Sequence, residues 1–252
     1  MIKNINFVSK FKTANISSII IFILSIFLIV FKGLNYGIDF KGGTLIELRT
    51  DKSINASTIR DSLNSMDLGD INVKKFGKEG DYLIKVEQKS INNNNLIPTI
   101  KQTLSENLSA EVDFRRVENV GPKVSSELLE SSVIAISLAL AAMLFYIWVR
   151  FEWQFSVGSI VALFHDVIIT LGIFSLLSLE INLSIIAAVL TIVGYSMNDT
   201  VVIYDRIREN LFKFTKISIS DVSNLSINET LARTIITSMT TLLALFSIYI
   251  LG

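Results

Sequence analysis

Five long apolar runs constrain this chain more than any other feature of its sequence. They cover about residues 16–34, 132–149, 155–179, 183–204 and 230–251. Runs of this length match the hydrocarbon thickness of a bilayer when they form helices. Half of all residues are hydrophobic and the mean hydropathy is +0.53. The sequence therefore predicts a polytopic α-helical membrane protein.

The orientation follows from the basic residues that flank these runs. Residues 1–15 carry three lysines, and the run at 16–34 is too long for a signal-peptide core and lacks a small-x-small cleavage site after it. We therefore expect an uncleaved first span, with residues 1–15 in the cytoplasm. Alternation then puts residues 35–130 in the periplasm and the polar segment at about 205–228 in the cytoplasm, where its four basic residues agree with the positive-inside rule.

Two polar regions, residues 35–130 and about 205–228, interrupt the apolar pattern. The segment at about 205–228 is predicted to be a cytoplasmic loop before a fifth span, and its part Lys213–Asn228 is predicted to be solvated or to lie at the interface. Lys123–Glu130 is predicted to be a helical lead-in to the second span. Residues 35–130 have a soluble composition with alternating segments. The predicted strands are Thr44–Arg49, Ile71–Phe76, Tyr82–Val86 and Glu111–Val117, and the predicted helices are Asn55–Leu63 and Asn95–Leu108. This βαββαβ order predicts an α+β ferredoxin-like domain, a four-stranded sheet with two helices on one face.

The chain lacks the residues that most enzymatic chemistry requires. There is no cysteine, only one histidine, and no HExxH, GxSxG or P-loop motif, so we expect neither bond chemistry nor a metal or cofactor site. The zero net charge does not point to a nucleic-acid partner. The glycine-dense segment Gly37–Thr44 lacks a preceding strand and a GKS or GKT ending, so we interpret it as a tight connection between the first span and the sheet rather than as a phosphate loop.

Charged residues inside the predicted spans are the strongest functional signal. An aspartate at a helix centre costs about 2.5–3.5 kcal/mol in a bilayer, so Asp199 in the fourth span needs a partner. Arg233 in the fifth span lies at nearly the same depth, within roughly 3 Å along the helix axis. An Asp199–Arg233 ion pair is predicted, and it either serves proton transfer or only locks two helices together.

Each of these two charges lies on a polar face of its helix. The polar positions of the fourth span are Thr191, Tyr195, Asn198 and Asp199, and those of the fifth are Thr230, Arg233, Thr234, Thr237 and Thr241. We expect Tyr195, Asn198 and Thr237 to support the charged pair.

His165 and Asp166 lie near the middle of the third span. Histidine beside carboxylates is common in proton paths, but a lone histidine is also often a satisfied core residue, and both interpretations stay open. Asp166 requires a partner or a neutral, protonated state in hydrocarbon.

Several long motifs in one order carry a resemblance to a known family. They are GIDFKGGTLIEL (Gly37–Leu48), VGPKVSSEL (Val120–Leu128), RFEWQFSVG (Arg150–Gly158), LFHDVIITLGIFSL (Leu163–Leu176), GYSMNDTVVIYDRIREN (Gly194–Asn210) and LARTIITSMTTLL (Leu231–Leu243). Over essentially its whole length the chain resembles the SecD/SecF family of bacterial protein-export subunits, a branch of the RND superfamily.

The resemblance implies a multi-pass inner-membrane subunit that couples the proton-motive force to late-stage preprotein translocation. It implies SecD as heterodimer partner, the SecYEG channel and a YajC-like subunit as neighbours, and unfolded preprotein as cargo. Asp199 matches the aspartate of the family's NDT motif and Arg233 the arginine of its RT motif, both implicated in proton flow. The alternatives are a stand-alone RND-like exporter of lipid or a small molecule, and an inert scaffold. The family also has a sixth span after the fifth, so the end at Gly252 suggests a truncated or aberrant member.

Overall fold

The computed structural model describes residues 5–50, 54–64, 66, 71–86, 96–108 and 112–251. The helices are α1 (Phe11–Phe31), preceded by a 3-10 turn at Val8–Lys10, α2 (Ile38–Lys41), α3 (Ala56–Asn64), α4 (Leu96–Leu108), α5 (Pro122–Arg150), α6 (Trp153–Leu177), α7 (Leu183–Lys213) and α8 (Ile219–Leu251). The strands are β1 (Asn35–Tyr36), β2 (Gly43–Arg49), β3 (Ile71–Lys75), β4 (Asp81–Val86), β5 (Asp113–Val120) and β6 (Glu180–Ile181).

The chain divides into two compact units. The helical unit comprises residues 1–34, 139–179 and 187–252, and the sheet unit comprises residues 35–138 and 180–186. Within the described residues, five helices are long and apolar enough to cross a membrane, namely α1 with its 3-10 turn, α5, α6, α7 and α8. The prediction of a polytopic helical membrane protein is confirmed.

The second span and its predicted lead-in form one helix. Helix α5 begins at Pro122, where a missing N–H costs nothing because the first helical N–H groups have no intrahelical partner anyway. It then continues without a break to Arg150. The helical nature of Lys123–Glu130 is therefore confirmed.

The prediction of a loop at 205–228 is wrong. Helix α7 continues to Lys213 and α8 already begins at Ile219, so five residues connect them. The polar residues that suggested a loop stabilise these helix ends through ion pairs along and between them. Lys213 contacts Glu209 at 2.5 Å, and Arg206 contacts both Glu209 and Glu229 at 2.6 Å.

Helices α1 and α6 pack closely through small residues. Ser25 is buried against Gly172, where a Cβ atom would lie 2.8 Å from the Cα of Ser25. The hydroxyl of Ser175 shares its one hydrogen between the carbonyl oxygens of Leu28, at 3.0 Å, and Gly33, at 2.7 Å. Small residues let helix backbones approach and form such contacts within a membrane.

The sheet unit contains the predicted ferredoxin-like fold. Its four-stranded antiparallel sheet has the order β3-β4-β2-β5, in which β4 lies between the two parallel-running strands β2 and β3. The register pairs Ile46 with Ile84 in the centre of the sheet. Alternate strand residues point to one face and form a core with helices α3 and α4. The fully buried members of this core include Ile46, Leu48, Ile84, Ile59, Leu63, Ile100 and Leu104.

The predicted secondary elements of this unit are confirmed to within a few residues where the structure describes them. The last strand runs to Val120, three residues beyond its predicted end. The predicted starting residues Asn95 and Glu111 lie outside the described residues.

Candidate functional site

His165 makes a hydrogen bond with each of its ring nitrogens. Its Nε2 lies 2.5 Å from the hydroxyl of Ser18 on α1, and its Nδ1 lies 2.9 Å from Oδ1 of Asp166. The tautomer with the proton on Nδ1 satisfies both contacts, because the ring then donates to the carboxylate and accepts from the serine hydroxyl. The ring of Phe22 stacks on the imidazole, with the ring centroids 6.0 Å apart. The lone histidine is therefore fixed in position from two helices.

Asp166 extends this contact to a third helix. The hydroxyl of Ser196 on α7 donates to Oδ2 of Asp166 at 2.5 Å. The backbone carbonyl oxygen of Asp166 accepts a hydrogen bond from the hydroxyl of Thr170, one turn further along α6. Asp166 thus has the partners that a carboxylate in an apolar helix requires.

Ser18, His165, Asp166 and Ser196 form a continuous row of hydrogen bonds, which we call the His–Asp row. It joins α1, α6 and α7. His165 and Asp166 can each accept and release a proton, and the hydroxyl hydrogens of Ser18 and Ser196 can rotate. A proton can therefore pass along the row without a large movement of any helix. The arrangement is suited to proton transfer or to the locking of three helices.

A cluster of apolar side chains surrounds the neighbouring part of α7. Its buried members come from α5, α6 and α7 and the residue after α5, and are Ile147, Phe151, Leu163, Val193 and Met197. Gly158 lies against the ring of Tyr204, and a Cβ atom there would collide with the tyrosine hydroxyl. This packing fixes the rotation of α7, which in turn points Ser196 toward α6.

The predicted Asp199–Arg233 ion pair is not formed in the structure. Among the described residues, neither the carboxylate of Asp199 nor the guanidinium of Arg233 has a hydrogen-bond or ion-pair partner. Asp199 is half-buried and Arg233 is exposed. Similar depth along two helices does not determine the lateral distance between them, which explains why the depth argument predicted a contact that is absent here.

The predicted polar faces of α7 and α8 do face each other, across an open cleft. A cavity of about 400 Å³ is lined by Thr191, Gly194, Tyr195, Asn198, Thr237 and Thr240. The hydroxyl of Tyr195 also contacts that of Thr241 on α8. The structure thus brings the three supporting residues Tyr195, Asn198 and Thr237 to one cleft. Their functional role stays a prediction.

The two helices are joined mainly near their connection. The amide of Asn210, which is buried, donates to the hydroxyl of Ser226 at 3.0 Å and to the carboxylate of Glu229 at 2.7 Å. Glu229 also binds Arg206, as described above. These contacts join the two helices beside their connection.

Sequence reasoning found two members of the His–Asp row and missed the other two. Ser196 follows Tyr195 directly, so it points about 100° away from the polar face that the spacing picked out. Ser18 lies in the apolar first span beside Ser17 and before Ser25, and nothing in the sequence distinguishes these three hydroxyls. Within the described part of the chain, no three His, Asp or Glu side chains are grouped as metal ligands would be.

Two protein-family models match this chain. The model described as protein export membrane protein SecD/SecF, C-terminal, matches residues 100–252, and the SecD/SecF GG motif matches residues 27–54. The chain is 45% identical over 248 residues to a protein translocase subunit SecF of Rickettsia bellii, covering 98% of this chain and 82% of that protein. It is 43% identical over 229 residues to a protein translocase subunit SecF of Cereibacter sphaeroides, covering 87% of this chain and 70% of that protein.

A solved structure has the same fold. The crystal structure of SecDF, a translocon-associated membrane protein from Thermus thermophilus, matches with a TM-score of 0.89 at 34% identity. The match covers the whole of this chain and 34% of that one, so this chain spans about a third of the SecDF length. A second SecDF structure, in a super-membrane-facing form, matches with a TM-score of 0.66. With these matches over nearly its whole length, the chain belongs to the SecD/SecF family of protein-export membrane proteins.

Proposed function

We propose that this chain is an accessory subunit of the Sec protein-export machinery. Together with SecD it couples the proton-motive force to late-stage translocation of preproteins across the inner membrane. The relatives' name, translocase subunit SecF, supports the export role. The observation that carries the coupling is the His–Asp row, which places titratable groups in hydrogen-bond contact across three helices of the helical unit.

Asp199 supports the view that the site is completed by a second subunit. Its carboxylate has no partner among the described residues, although an unpaired charge in hydrocarbon costs about 2.5–3.5 kcal/mol. The SecDF chain is about three times as long as the part matched here, so the SecD half of that protein can supply the missing partner. In this proposal Asp199 and Arg233 belong to an intersubunit proton path, and the His–Asp row is connected to it through α7.

The energy available per proton limits what such a path can drive. One charge that crosses the membrane contributes about 2.3 kcal/mol per 100 mV. A full reversal of a two-state equilibrium from 1:99 to 99:1 needs about 5.5 kcal/mol. Each working stroke therefore uses several protons or a contribution from the pH gradient.

The proposed orientation places the N-terminus and the α7–α8 connection in the cytoplasm and the sheet unit in the periplasm. The SecYEG channel and a YajC-like subunit are the proposed neighbours, and unfolded preprotein is the cargo. Co-purification with SecD and the channel is the expected result. An isolated chain that exports lipid or a small molecule without them would contradict the proposal in favour of a stand-alone exporter.

The coupling is tested with Asp199→Asn in inverted membrane vesicles that contain the whole complex. Preprotein translocation is measured with and without an ionophore, after membrane insertion of the variant has been confirmed. We expect Asp199→Asn and Asp166→Asn to lose the ionophore-sensitive part of translocation and to keep the ATP-driven part. The control is Asp61→Asn, which changes an exposed aspartate on α3. Undiminished ionophore-sensitive translocation in Asp199→Asn would refute the coupling role.

A further inference from the structure

The glycine-rich segment Gly37–Gly43 does more than connect the first span to the sheet. Strand β1, just before it, pairs in parallel with β6, with Asn35 opposite Glu180 and Tyr36 opposite Ile181. The backbone N–H of Gly37 adds a bond to the carbonyl oxygen of Ile181 at 2.9 Å. The segment is therefore hydrogen-bonded to the short connection that leads directly into α7.

Asp39 continues this contact into the first turn of α7. Its Oδ2 accepts a hydrogen bond from the backbone N–H of Leu183, the first residue of that helix, at 2.9 Å. The first N–H groups of a helix have no intrahelical acceptor, and a carboxylate there is also favoured by the helix dipole. Asn182 supplies a local cap as well, since its Oδ1 accepts from the N–H of Ile185 at 3.0 Å. Asp39 is thus a second cap, supplied from 144 residues away in the sequence.

The same segment also contacts the start of α5 and the sheet. The hydroxyl of Ser125 on α5 donates to the carbonyl oxygen of Ile38 at 3.3 Å. A Cβ atom on Gly42 would lie 3.4 Å from the Cα of Pro122, and Gly42 has a φ of +78°, which favours glycine. From the sheet, Lys85 on β4 donates to the carbonyl oxygen of Tyr36 at 2.9 Å.

We propose that Asp39 is a positioning residue that holds the first turn of α7 to the glycine-rich segment, and through it to the sheet. Helix α7 runs without a break from Leu183 to Lys213 and carries both Ser196 and Asp199. The first turn of α7 belongs to the sheet unit, as does Asp39, so the contact secures the start of the helix that carries these two groups. This role rests on the proposed function, but the contact itself does not.

The contact is tested by hydrogen–deuterium exchange of the full chain in lipid nanodiscs. Loss of a helix cap is expected to speed amide exchange in the first turn of α7 by about 5- to 30-fold in Asp39→Ala. Asp61→Ala, which removes an exposed aspartate of the same unit, should leave that turn unchanged. Asp39→Asn keeps an acceptor oxygen and should retain most of the protection. Unchanged exchange in Asp39→Ala would overturn the proposal.

A disulfide can replace the contact and separate positioning from other roles of Asp39. The chain has no cysteine, and a Cβ on Gly37 would lie 3.5 Å from the Cβ of Asn182, which is within the range for a disulfide. Asp39→Ala alone should lose ionophore-sensitive translocation. With Gly37→Cys and Asn182→Cys added, we expect oxidation to restore it and reduction to remove it. The reference is the same cysteine pair with Asp39 intact, which likewise lacks the cap from Asn182.

The outcomes distinguish this inference from the proposed function. If oxidation restores slow exchange at the start of α7 but translocation stays lost, Asp39 does not act by positioning α7, and the inference is refuted. If Asp199→Asn keeps full ionophore-sensitive translocation, the proposed function fails, whereas the exchange results for Asp39 still decide whether the contact exists.

Discussion

The close packing of α1 against α6 makes Gly172→Ala a sharp test of the helical unit. The new Cβ would lie 2.8 Å from the Cα of Ser25, whereas ordinary contacts begin at 3.4 Å. The Cβ of Ser25, which the backbone also fixes, would be nearer still, so the two helices must separate by more than about 0.6 Å at this level. The bond from Ser175 to the carbonyl oxygen of Leu28, now 3.0 Å, would lengthen beyond about 3.6 Å and be lost.

The loss of stability in Gly172→Ala follows from three contributions. Overpacking costs about 1–3 kcal/mol, and the lost hydrogen bond costs about 0.5–1.5 kcal/mol. Replacement of a helical glycine by alanine returns about 0.5–1 kcal/mol. At the centre of these ranges the net loss is about 2 kcal/mol, which corresponds to a decrease of about 4–8 °C in the melting temperature of a chain of this size.

The assay is the apparent melting temperature of the detergent-purified chain, from size-exclusion chromatography after heating. The matched control is Gly194→Ala, at a helical position where a Cβ would meet nothing within 4 Å. The same substitution should there raise the melting temperature slightly, because only helix propensity changes. The packing argument is refuted if Gly172→Ala melts with the wild type, or if both variants fall by the same amount.

Two further predictions concern the sheet unit and the α7–α8 connection. Two hydrogen bonds from Arg49, at 2.5 and 2.7 Å, lower the pKa of Asp81, so the pair stabilises the fold above the unfolded pKa of about 4 and this contribution is lost as the pH falls through the lower, folded value. The melting temperature of wild type should thus drop more steeply below pH 4 than that of Asp81→Asn. Asn210→Ala should cost about 1–3 kcal/mol, because it removes the buried amide that donates to both Ser226 and Glu229, and should speed hydrogen exchange at the α7–α8 connection.

The glycine-rich segment shows how far local signals reach. Its glycines indicated a tight connection between the first span and the sheet, and Gly42 indeed has a positive φ. Nothing local indicates that Asp39 caps a helix that begins at Leu183. That contact depends on two segments far apart in sequence, so no periodicity or spacing could contain it.

The prediction of a loop at 205–228 was wrong for a related reason. The composition of this segment was typical of a loop, because Arg206, Glu209 and Lys213 are charged. Charges at these spacings also stabilise a helix when they pair along it, and the partner Glu229 comes from the next helix. Tertiary contact therefore overrode composition and extended both helices.

The sequence by itself determined the five spans, the βαββαβ order and the family. These depend on apolar runs, on two- and 3.6-residue periods and on long motifs, all of which are properties of short stretches of chain. Only the tertiary structure decided which polar groups meet. It joined Asp166 to Ser196 and left Asp199 apart from Arg233, because side-chain packing throughout the helical unit sets the rotation and lateral distance of each helix, and neither can be read from depth along a single helix.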